Sequence, residues 1–350
     1  MVGVRMNKTI LITGGTGYIG SWVTKDLLKK GYTIRLTVRD KSKTEKHQHL
    51  LDCEKSSKGI LEFWQADLLN TGDFDQAADG CSAIIHIASP FILDIKDAQK
   101  ELIDPALKGT QNVLNAASKS STVKRVILTS SVAAVHGDNS DMQEQNLDEF
   151  TEEHFNNTSS LEHQPYSYSK VLAEKEAWKL HKAQNQWQLV VINPSFVMGP
   201  SLTQSSDSES LKFMFEMLNG KYYMGAPNLM FGYVDVRDVA NAHILALENK
   251  NAEGRHILAE RVISMYGFSQ LIKGLYPNKY KLPLMQSPKF MLYMVGWMFG
   301  ISKKMISRNV NFKIKLNTSK STEKLGLIYT PLEQTIKDMV TQMQESGLVK

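Results

Sequence analysis

The chain has 350 residues, of which 42% are hydrophobic and 22% charged, an ordinary balance for a globular protein of two lobes or two to three domains. Its net charge of +5 is too small to indicate a nucleic-acid partner. The two cysteines, Cys53 and Cys81, argue against a disulfide scaffold and favour a reducing compartment. Because the N-terminal stretch MVGVRMNKTI has no apolar signal-peptide core, we expect a cytoplasmic protein. We also expect no metal site.

Short β-branched runs alternate with longer helical patterns through the first two hundred residues. Because the runs are apolar almost throughout, they predict a parallel sheet covered by helices on both faces. The predicted fold is a doubly wound α/β Rossmann sheet, with a dinucleotide-binding domain over residues 7–192. The predicted strands are Thr9–Thr13, Thr33–Val38, Leu61–Gln65, Ala83–Ala88, Arg125–Ser130 and Gln188–Asn193, and the predicted helices include Ile19–Lys30, Asp104–Ser118 and Ser167–Gln184.

The alternation ends near Asn193, where turn-rich and then Met- and Tyr-rich sequence begins. We expect residues 193–350 to form mainly a smaller substrate-binding lobe, with a strand and helix at 232–248 returning to the sheet. The apolar run Phe290–Ile301 is too short to span a bilayer, which needs about 20 residues. A buried helix is the expected structure there, and a helix on a membrane surface is the alternative, since six basic residues and no acid follow between 301 and 322.

A glycine-rich turn joins the first predicted strand to the first predicted helix. Gly14, Gly17 and Gly20 have the spacing and the flanking elements of a dinucleotide-binding loop. In such a loop the first glycine allows a tight turn, the second lets the backbone approach a pyrophosphate, and the third allows close packing of helix and sheet. The backbone N–H groups that begin the helix favour an anion.

The end of the second predicted strand indicates which dinucleotide binds. NAD-binding proteins usually carry an acid there for the ribose 2′-hydroxyl, whereas this chain has Arg39, followed by Lys41, Lys43 and Lys46. A guanidinium suits a phosphate, so the sequence predicts NADPH. Asp40, one residue later, leaves some use of NADH open. Asp67, after the third strand, has two interpretations: it binds the adenine amine, or it caps its own loop.

Tyr166 and Lys170 lie four residues apart, on one face of the predicted helix, beyond a strand that ends in Ser130 and Ser131. A tyrosine four residues before a lysine is expected about once by chance in a chain of this composition. The catalytic interpretation therefore depends on the position of the pair after the glycine loop. Reduction of a carbonyl builds charge on oxygen, which then needs a proton. A tyrosine can supply the proton, a nearby ammonium should lower the tyrosine pKa from its usual value of about 10, and a serine can hold the carbonyl oxygen.

Taken in order, these segments resemble the extended short-chain dehydrogenase/reductase family, in the branch of dihydroflavonol 4-reductases, cinnamoyl-CoA reductases and fungal methylglyoxal/aldehyde reductases. The resemblance implies that Ser131, rather than Ser130, joins Tyr166 and Lys170 in a catalytic triad. The matching segments, from about residue 8 to 245, are TGGTGYIGSW, TVRD, ADL, IIHIASPF, ALKGTQNVLNAA, RVILTSS, YSYSKVLAEKEAW, INPSFVMGP and DVRDVANAHI. The implied cofactor contacts are Gly14, Thr16, Gly17, Tyr18, Ile19, Arg39, Lys46, Asp67, Leu68, Ile87, Ala88, Ser89, Tyr166, Lys170, Pro194 and Val197.

Two segments depart from the plant enzymes of this branch. The chain has TSSVAAVH where flavonoid reductases have TSSAGTVN, so His136 replaces the asparagine that meets the flavonoid, and QPYSYSK where cinnamoyl-CoA reductases have NWYCYGK. We therefore expect a general aldehyde or ketone reductase with an apolar or aromatic substrate. The candidate substrate contacts are Phe91, Ser131, His136 and Tyr222, although a lone histidine is more often structural.

The leading hypothesis is an NADPH-dependent carbonyl reductase, reversible as an alcohol dehydrogenase, working as a monomer or a homodimer. A hydroxysteroid dehydrogenase or a sugar-nucleotide epimerase shares this scaffold and triad, although the basic residues after the second strand argue against an epimerase. A dinucleotide-sensing regulator is the non-enzymatic alternative; such proteins commonly lose the tyrosine or the lysine, which this chain keeps.

Overall fold

A seven-stranded, fully parallel sheet forms the centre of the computed structural model, which describes residues 9–89, 97–203 and 208–350. The strands lie in the order β10-β6-β5-β4-β1-β2-β3, which confirms the predicted doubly wound Rossmann-like sheet. The strand bounds are β1 Thr9–Thr13, β2 Thr33–Val38, β3 Ile60–Gln65, β4 Ala83–His86, β5 Arg125–Thr129, β6 Gln188–Pro194, β7 Phe196–Met198, β8 Ala226–Pro227, β9 Met230–Asp235, β10 Gly254–Leu258, β11 Arg261–Ser264 and β12 Gln286–Ser287.

Helices cover both faces of this sheet, because successive residues of each strand point to opposite sides. Ile10 and Ile12 of β1 pack into one core with the helices α1 and α8, whereas Leu11, between them, packs into the other core with α4 and α6. The helix bounds are α1 Tyr18–Lys29, α2 Gln48–Lys55, α3 Asp75–Ala78, α4 Asp104–Lys119, α5 Asp141–Glu144, α6 Pro165–Lys182, α7 Glu209–Leu218, α8 Val236–Glu248, α9 Met265–Leu275, α10 Lys289–Val295, α11 Lys303–Asn309, α12 Ser319–Glu323 and α13 Leu332–Glu345.

The strand that returns to the large sheet is not the one expected near residue 232. That segment forms β9, which pairs with β7 and β11 in a separate three-stranded sheet. The seventh strand of the large sheet is β10, which lies beside β6 in parallel register. The helix α8 does return, since it packs with α1 over one face of the large sheet. A distinct core lies around the small sheet, between α7, α9 and α13.

The apolar run Phe290–Ile301 does not form the buried helix expected from the sequence. It forms the seven-residue helix α10 and a 3₁₀ turn, Gly296–Phe299. Only the Leu292 side of α10 is covered, by Ile306 and Val310, while Trp297 is 76% exposed. A helix this short has one packed side, so its remaining apolar residues face outwards. Among the residues that the structure describes, no helix combines the length and hydropathy needed to cross a membrane.

Candidate active site

The glycine loop between β1 and α1 has the close backbone contacts that its spacing predicts. Gly14 has a φ of +71°, and a Cβ there would lie 2.6 Å from the backbone nitrogen of Ala88. A Cβ on Gly20 would collide with the carbonyl oxygen of Gly14. Gly17 is the exposed N-cap of α1, whose first turn has no acidic residue. The open N-terminus of α1 therefore fits a dinucleotide pyrophosphate.

The side chains of α1 that follow the loop hold it against the segment after β7. The Tyr18 hydroxyl donates a hydrogen bond of 2.6 Å to the carbonyl of Gly199, and the Trp22 indole donates one to Pro200. Burial, together with the charge of Asp235, raises the pKa of Tyr18 well above its usual value. Tyr18 is therefore a neutral anchor in this structure. Thr16 and Ile19 are half-buried beside it.

Arg39 and Lys46, the residues expected to hold a 2′-phosphate, both lie exposed beyond the end of β2. Neither forms an ion pair with another described residue; Asp40 instead pairs with Lys43 and accepts hydrogen bonds from Ser42. The guanidinium and the ammonium are therefore not neutralised by these neighbours. This charge distribution fits an anionic group at the end of β2.

The ends of β3 and β4 meet the glycine loop. One Asp67 carboxylate oxygen accepts a hydrogen bond from the backbone of Leu69, as expected if Asp67 caps its loop. Leu68 packs into the core beside α4. The backbone nitrogens of Ile87 and Ala88 donate to the carbonyl of Thr13, which places this turn directly against the glycine loop.

Ser131, Tyr166 and Lys170 come together beyond the carboxyl end of β5. Ser131 follows β5 and begins a short 3₁₀ turn, and its hydroxyl is hydrogen-bonded to Tyr166. Tyr166 and Lys170 lie one turn apart on α6, with the Lys170 Nζ 5.7 Å from the centre of the tyrosine ring. This edge of a parallel sheet is where such folds bind ligands.

Burial shifts the pKa values of Tyr166 and Lys170. It raises the pKa of Tyr166 to about 12, against the opposing effect of the hydrogen bond from Ser131. It lowers the pKa of Lys170 to about 8, against the opposing charge of Glu174. The expectation of a lowered tyrosine pKa is wrong for this structure, because removing the phenol from water raises the pKa by more than the stabilising contacts lower it.

Ser130 faces a different partner from Ser131. Its hydroxyl donates a 2.6 Å hydrogen bond to Glu174, which is fully buried one turn after Lys170. Glu174 also accepts from the Asn193 amide at 2.8 Å and lies 2.6 Å from the guanidinium of Arg255 on β10. This buried cluster fixes α6 against the sheet beneath the Tyr166–Lys170 pair. Glu174 was missed in the sequence analysis, although its spacing of four residues from Lys170 is visible there.

Residues outside α6 also fix the position of its first turn. Gln164 precedes it in a left-handed conformation with a φ of +57° and binds the buried Asp138 at 2.6 Å. Asp138 also binds His163 at 2.9 Å and the guanidinium of Arg308. Pro165 then begins the helix, and its fixed φ suits the first turn. Tyr166 is thus positioned by the two residues before the helix and by α11.

A small cavity lies beside Lys170. Its lining includes Ser89, His86, Thr129 and Glu174, so Ser89 lies next to the catalytic candidates. His86 binds the Thr13 hydroxyl at 2.7 Å, and burial lowers its pKa to about 3. The His86 imidazole is therefore neutral, and it lines the same cavity as Lys170. No motif in the sequence points to His86.

Pro194 and Val197 lie at the junction of the two sheets. Pro194 is the last residue of β6 and is paired with Leu258, and Val197 is half-buried in β7 beside Val234 of β9. The turn between them crosses from the large sheet to the small one, on the same edge as the glycine loop.

The four candidate substrate residues have different surroundings. Phe91 lies outside the described residues. His136 stacks on Phe150 with 4.6 Å between ring centres, and burial lowers its pKa to about 4, so its ring is engaged in packing. The Tyr222 hydroxyl donates to Glu216 at 3.0 Å, and burial raises the Tyr222 pKa. Ser131, in contrast, faces Tyr166.

Comparison with known proteins gives the family. A model of the NAD dependent epimerase/dehydratase family matches residues 10–259, which include the glycine loop, the three catalytic candidates and the returning strand β10. The chain belongs to this family. The match confirms the resemblance that the sequence motifs indicated, since this family includes the extended short-chain dehydrogenases/reductases.

Relatives within the family cover between 78% and 97% of the chain. The chain is 40% identical to the cinnamoyl-CoA reductase CAD2 of Medicago truncatula over 97% of each sequence. It is 33% identical to the dihydroflavonol 4-reductase of Gerbera hybrida over 78% of this chain and 74% of that enzyme. Among solved structures, Gre2 of Candida albicans in complex with NADPH has a TM-score of 0.75 and 30% identity, with 97% of this chain and 99% of that chain covered.

Proposed function

We propose that this chain reduces an aldehyde or a ketone with NADPH, using Ser131, Tyr166 and Lys170. The chain is an oxidoreductase that acts on carbonyl or CH–OH groups. The observation that carries the proposal is the Ser131–Tyr166 hydrogen bond beside a buried lysine, at the edge of the sheet that also holds the glycine loop. The complete triad favours this proposal over the alternative of a dinucleotide-sensing regulator.

The protonation of the triad fits reduction near neutral pH. When bound, NADPH supplies the hydride. As negative charge develops on the substrate oxygen, Tyr166 donates its proton, which it still holds at neutral pH because its pKa is about 12. Ser131 donates a hydrogen bond to the same oxygen. Lys170, with a pKa of about 8, keeps most of its positive charge at pH 7 and favours the phenolate that remains.

The same protonation states make the direction depend on pH. Oxidation of an alcohol needs Tyr166 as the base, which requires the phenolate. With a pKa of about 12, that form is scarce at neutral pH. We therefore infer that the chain catalyses reduction faster than oxidation near neutrality and that oxidation becomes faster in alkaline solution.

The cofactor proposal rests on the exposed Arg39 at the end of β2. Arg39→Ala should weaken NADPH binding by about tenfold or more and change NADH binding by less than about threefold, because only NADPH carries the phosphate that a guanidinium can bind. Titration of each cofactor, followed by its fluorescence, measures this. As a control, Lys58→Ala removes an exposed cation elsewhere and should change neither affinity. Equal losses of NADPH and NADH binding in Arg39→Ala would overturn the assignment.

The substrate class is proposed from the second lobe and from the relatives. Aromatic rings of Phe196, Phe213 and Phe231 pack around the small sheet beyond the β6–β7 turn, which suits an apolar or aromatic substrate. The relatives are named for a thioester, a flavonoid ketone and, in the structure of yeast Gre2 with NADPH, methylglyoxal and isovaleraldehyde. All of these compounds carry a carbonyl.

A substrate panel tests the proposed function. Purified protein is mixed with NADPH and, separately, with aliphatic and aromatic aldehydes, α-dicarbonyls, aryl ketones, flavanonols, cinnamoyl thioesters and ketosteroids, and loss of the reduced cofactor is followed by absorbance. We expect turnover of aldehydes or ketones. Turnover of ketosteroids alone would favour the hydroxysteroid dehydrogenase alternative. In a separate incubation analysed by chromatography, conversion of a sugar nucleotide without net cofactor change would indicate an epimerase. Binding of NADPH without any turnover would favour the regulator. The cytoplasmic location and the monomeric or homodimeric state stay predictions.

A further inference from the structure

The helix α10 and the turn after it present apolar side chains to solvent. Phe290, Tyr293, Met294 and Trp297 recur at the spacing of one helical face, and this face is opposite Leu292, which packs inwards. Phe290 is 65%, Met294 60% and Trp297 76% exposed. We call these four residues, together with Met298, the apolar face.

Exposure on this scale is concentrated in one short stretch. Of the 15 exposed large hydrophobic residues in the described parts of the chain, seven lie between Leu284 and Met298. Single exposed apolar residues are normal on a protein surface, but a contiguous group marks an interaction site. Leu284 and Met285, which precede α10, continue the group, and Leu284 is joined by its backbone to Tyr223, another exposed aromatic residue.

The segment that carries the apolar face has charges of one sign. From Arg261 to Thr322 the chain has eleven Lys or Arg residues and no Asp or Glu. Arg261, Arg308 and Lys315 pair with acids from other segments. The other eight form no ion pair with any described residue. Lys303 and Lys304 begin α11, two residues after Ile301, which packs beneath α10. The apolar face is therefore bordered by unneutralised positive charge.

We propose that the apolar face docks on an anionic lipid surface. An aromatic and methionine face of a short helix, bordered by lysines, has the composition of an interfacial helix, whose apolar side chains enter the boundary between headgroups and acyl chains. Trp297 and Tyr293 suit that boundary because each has an apolar ring and a polar edge. The lysines add attraction to negative headgroups.

A second copy of the chain suits this surface less well. In a twofold-symmetric dimer the same patch would meet itself, and that would bring two borders with unpaired lysines together. Like charges across an interface are unfavourable. The charge thus selects an anionic partner, and a lipid bilayer is the anionic surface that also accepts apolar side chains.

Vesicle binding tests the proposal with the full-length protein. The protein is sedimented with vesicles of phosphatidylcholine alone and with vesicles containing about 30% phosphatidylserine. We expect binding to the anionic vesicles, weak binding to the neutral ones, and loss of binding as salt is raised. The double variants Phe290→Ser/Trp297→Ser and Lys303→Glu/Lys304→Glu should each lower the partition coefficient by about tenfold or more.

Two control variants test whether a loss of vesicle binding is specific to the apolar face and its neighbouring lysines. Ile328→Ser changes a residue that is 85% exposed outside the apolar face, and Lys182→Glu/Lys250→Glu makes the same change in net charge at exposed lysines far along the chain. Both should bind anionic vesicles like the wild type. Circular dichroism verifies that each variant is folded. The proposal is overturned by absence of binding, by equal binding to neutral vesicles, by equal losses in the controls, or by a dimer that Phe290→Ser/Trp297→Ser abolishes. Vesicle binding needs no substrate, so its outcome is independent of the reductase assay.

Discussion

The two adjacent serines at the end of β5 have different partners and should have different roles. Ser131 is bound to Tyr166 and faces the catalytic group, whereas Ser130 donates to the buried Glu174. The sequence left this choice to the resemblance, because neighbouring residues beyond a strand cannot be assigned to a side without the backbone. The geometry supports Ser131 as the serine that holds the carbonyl oxygen.

Ser131→Ala should lower kcat by about 10²-fold, the usual cost of removing one donor to a developing oxyanion. Ser130→Ala should leave kcat within about threefold and instead lower the free energy of unfolding by about 1–3 kcal/mol, because it removes a hydrogen bond to a buried carboxylate. Steady-state kinetics and urea unfolding of both variants measure this. If Ser130→Ala lost the activity and Ser131→Ala kept it, the assignment would be reversed.

Residue spacing predicted the Tyr166–Lys170 pair but not the buried cluster that holds its helix in place. The positions of Tyr166 and Lys170 follow from a four-residue spacing on one helix. The partner of Glu174, Arg255, lies 81 residues further along the chain, and no local pattern joins the two. The tyrosine pKa was expected to fall because the sequence shows a neighbouring charge, but it does not show burial, which dominates in the structure.

At the scale of elements, α6 is the part of the site that the rest of the fold holds in place. One face of α6 carries Tyr166, Lys170 and Glu174 at intervals of one turn. Glu174 ties this helix to β5, β6 and β10 through Ser130, Asn193 and Arg255. The proposed catalytic pair therefore lies on a helix that is anchored to the sheet beneath it.

Glu174→Ala should lower the free energy of unfolding by about 3–5 kcal/mol, because it leaves the buried Arg255 guanidinium without its carboxylate. Asp52→Ala, which removes an exposed i,i+3 pair with Lys55 on α2, should leave the unfolding midpoint unchanged. Urea unfolding at pH 7 compares the two. Similar losses in both variants would show that the buried cluster has no special contribution.

Strands and helices were predictable where a single pattern of hydrophobic residues dominated the sequence. The six predicted strands of the large sheet are present, because a parallel sheet needs apolar residues on both faces. The seventh was misplaced: β9 and β10 each contain only one β-branched residue, and only pairing in space shows that β10 is the one beside β6. The division into residues 7–192 and 193–350 stays a prediction.

At the scale of the whole molecule, buried histidines make the folded state sensitive to acid. Burial lowers the pKa of His86 to about 3 and those of His136, His243 and His256 to about 4. In the unfolded chain each would take up a proton near pH 6.5. The native state does not, so stability is fully present above about pH 6.5 and is lost as the pH falls towards 4.

Between pH 7 and pH 5 the free energy of unfolding should fall with a slope approaching about 1.4 kcal/mol per pH unit for each buried histidine. Asp238 has the opposite effect, because burial raises its pKa to about 6 and its protonation then stabilises the native state. Among the groups with the largest pKa shifts, four histidines against one carboxyl give a net loss of stability. Urea unfolding across this range measures the slope, and His243→Asn should reduce it by the contribution of one proton. A flat profile would contradict this prediction.

The proton donated by Tyr166 is the central claim, and Tyr166→Phe tests it most directly. On the substrate that the wild type reduces best, kcat of this variant should fall by about 10³-fold or more, because the substrate oxygen loses its proton donor. NADPH affinity, titrated by cofactor fluorescence, should stay within about threefold of the wild-type value, since the ring and the helix remain. Tyr168→Phe, two residues along α6, should keep full activity. A Tyr166→Phe variant that binds NADPH and still turns over at the wild-type rate would contradict the account.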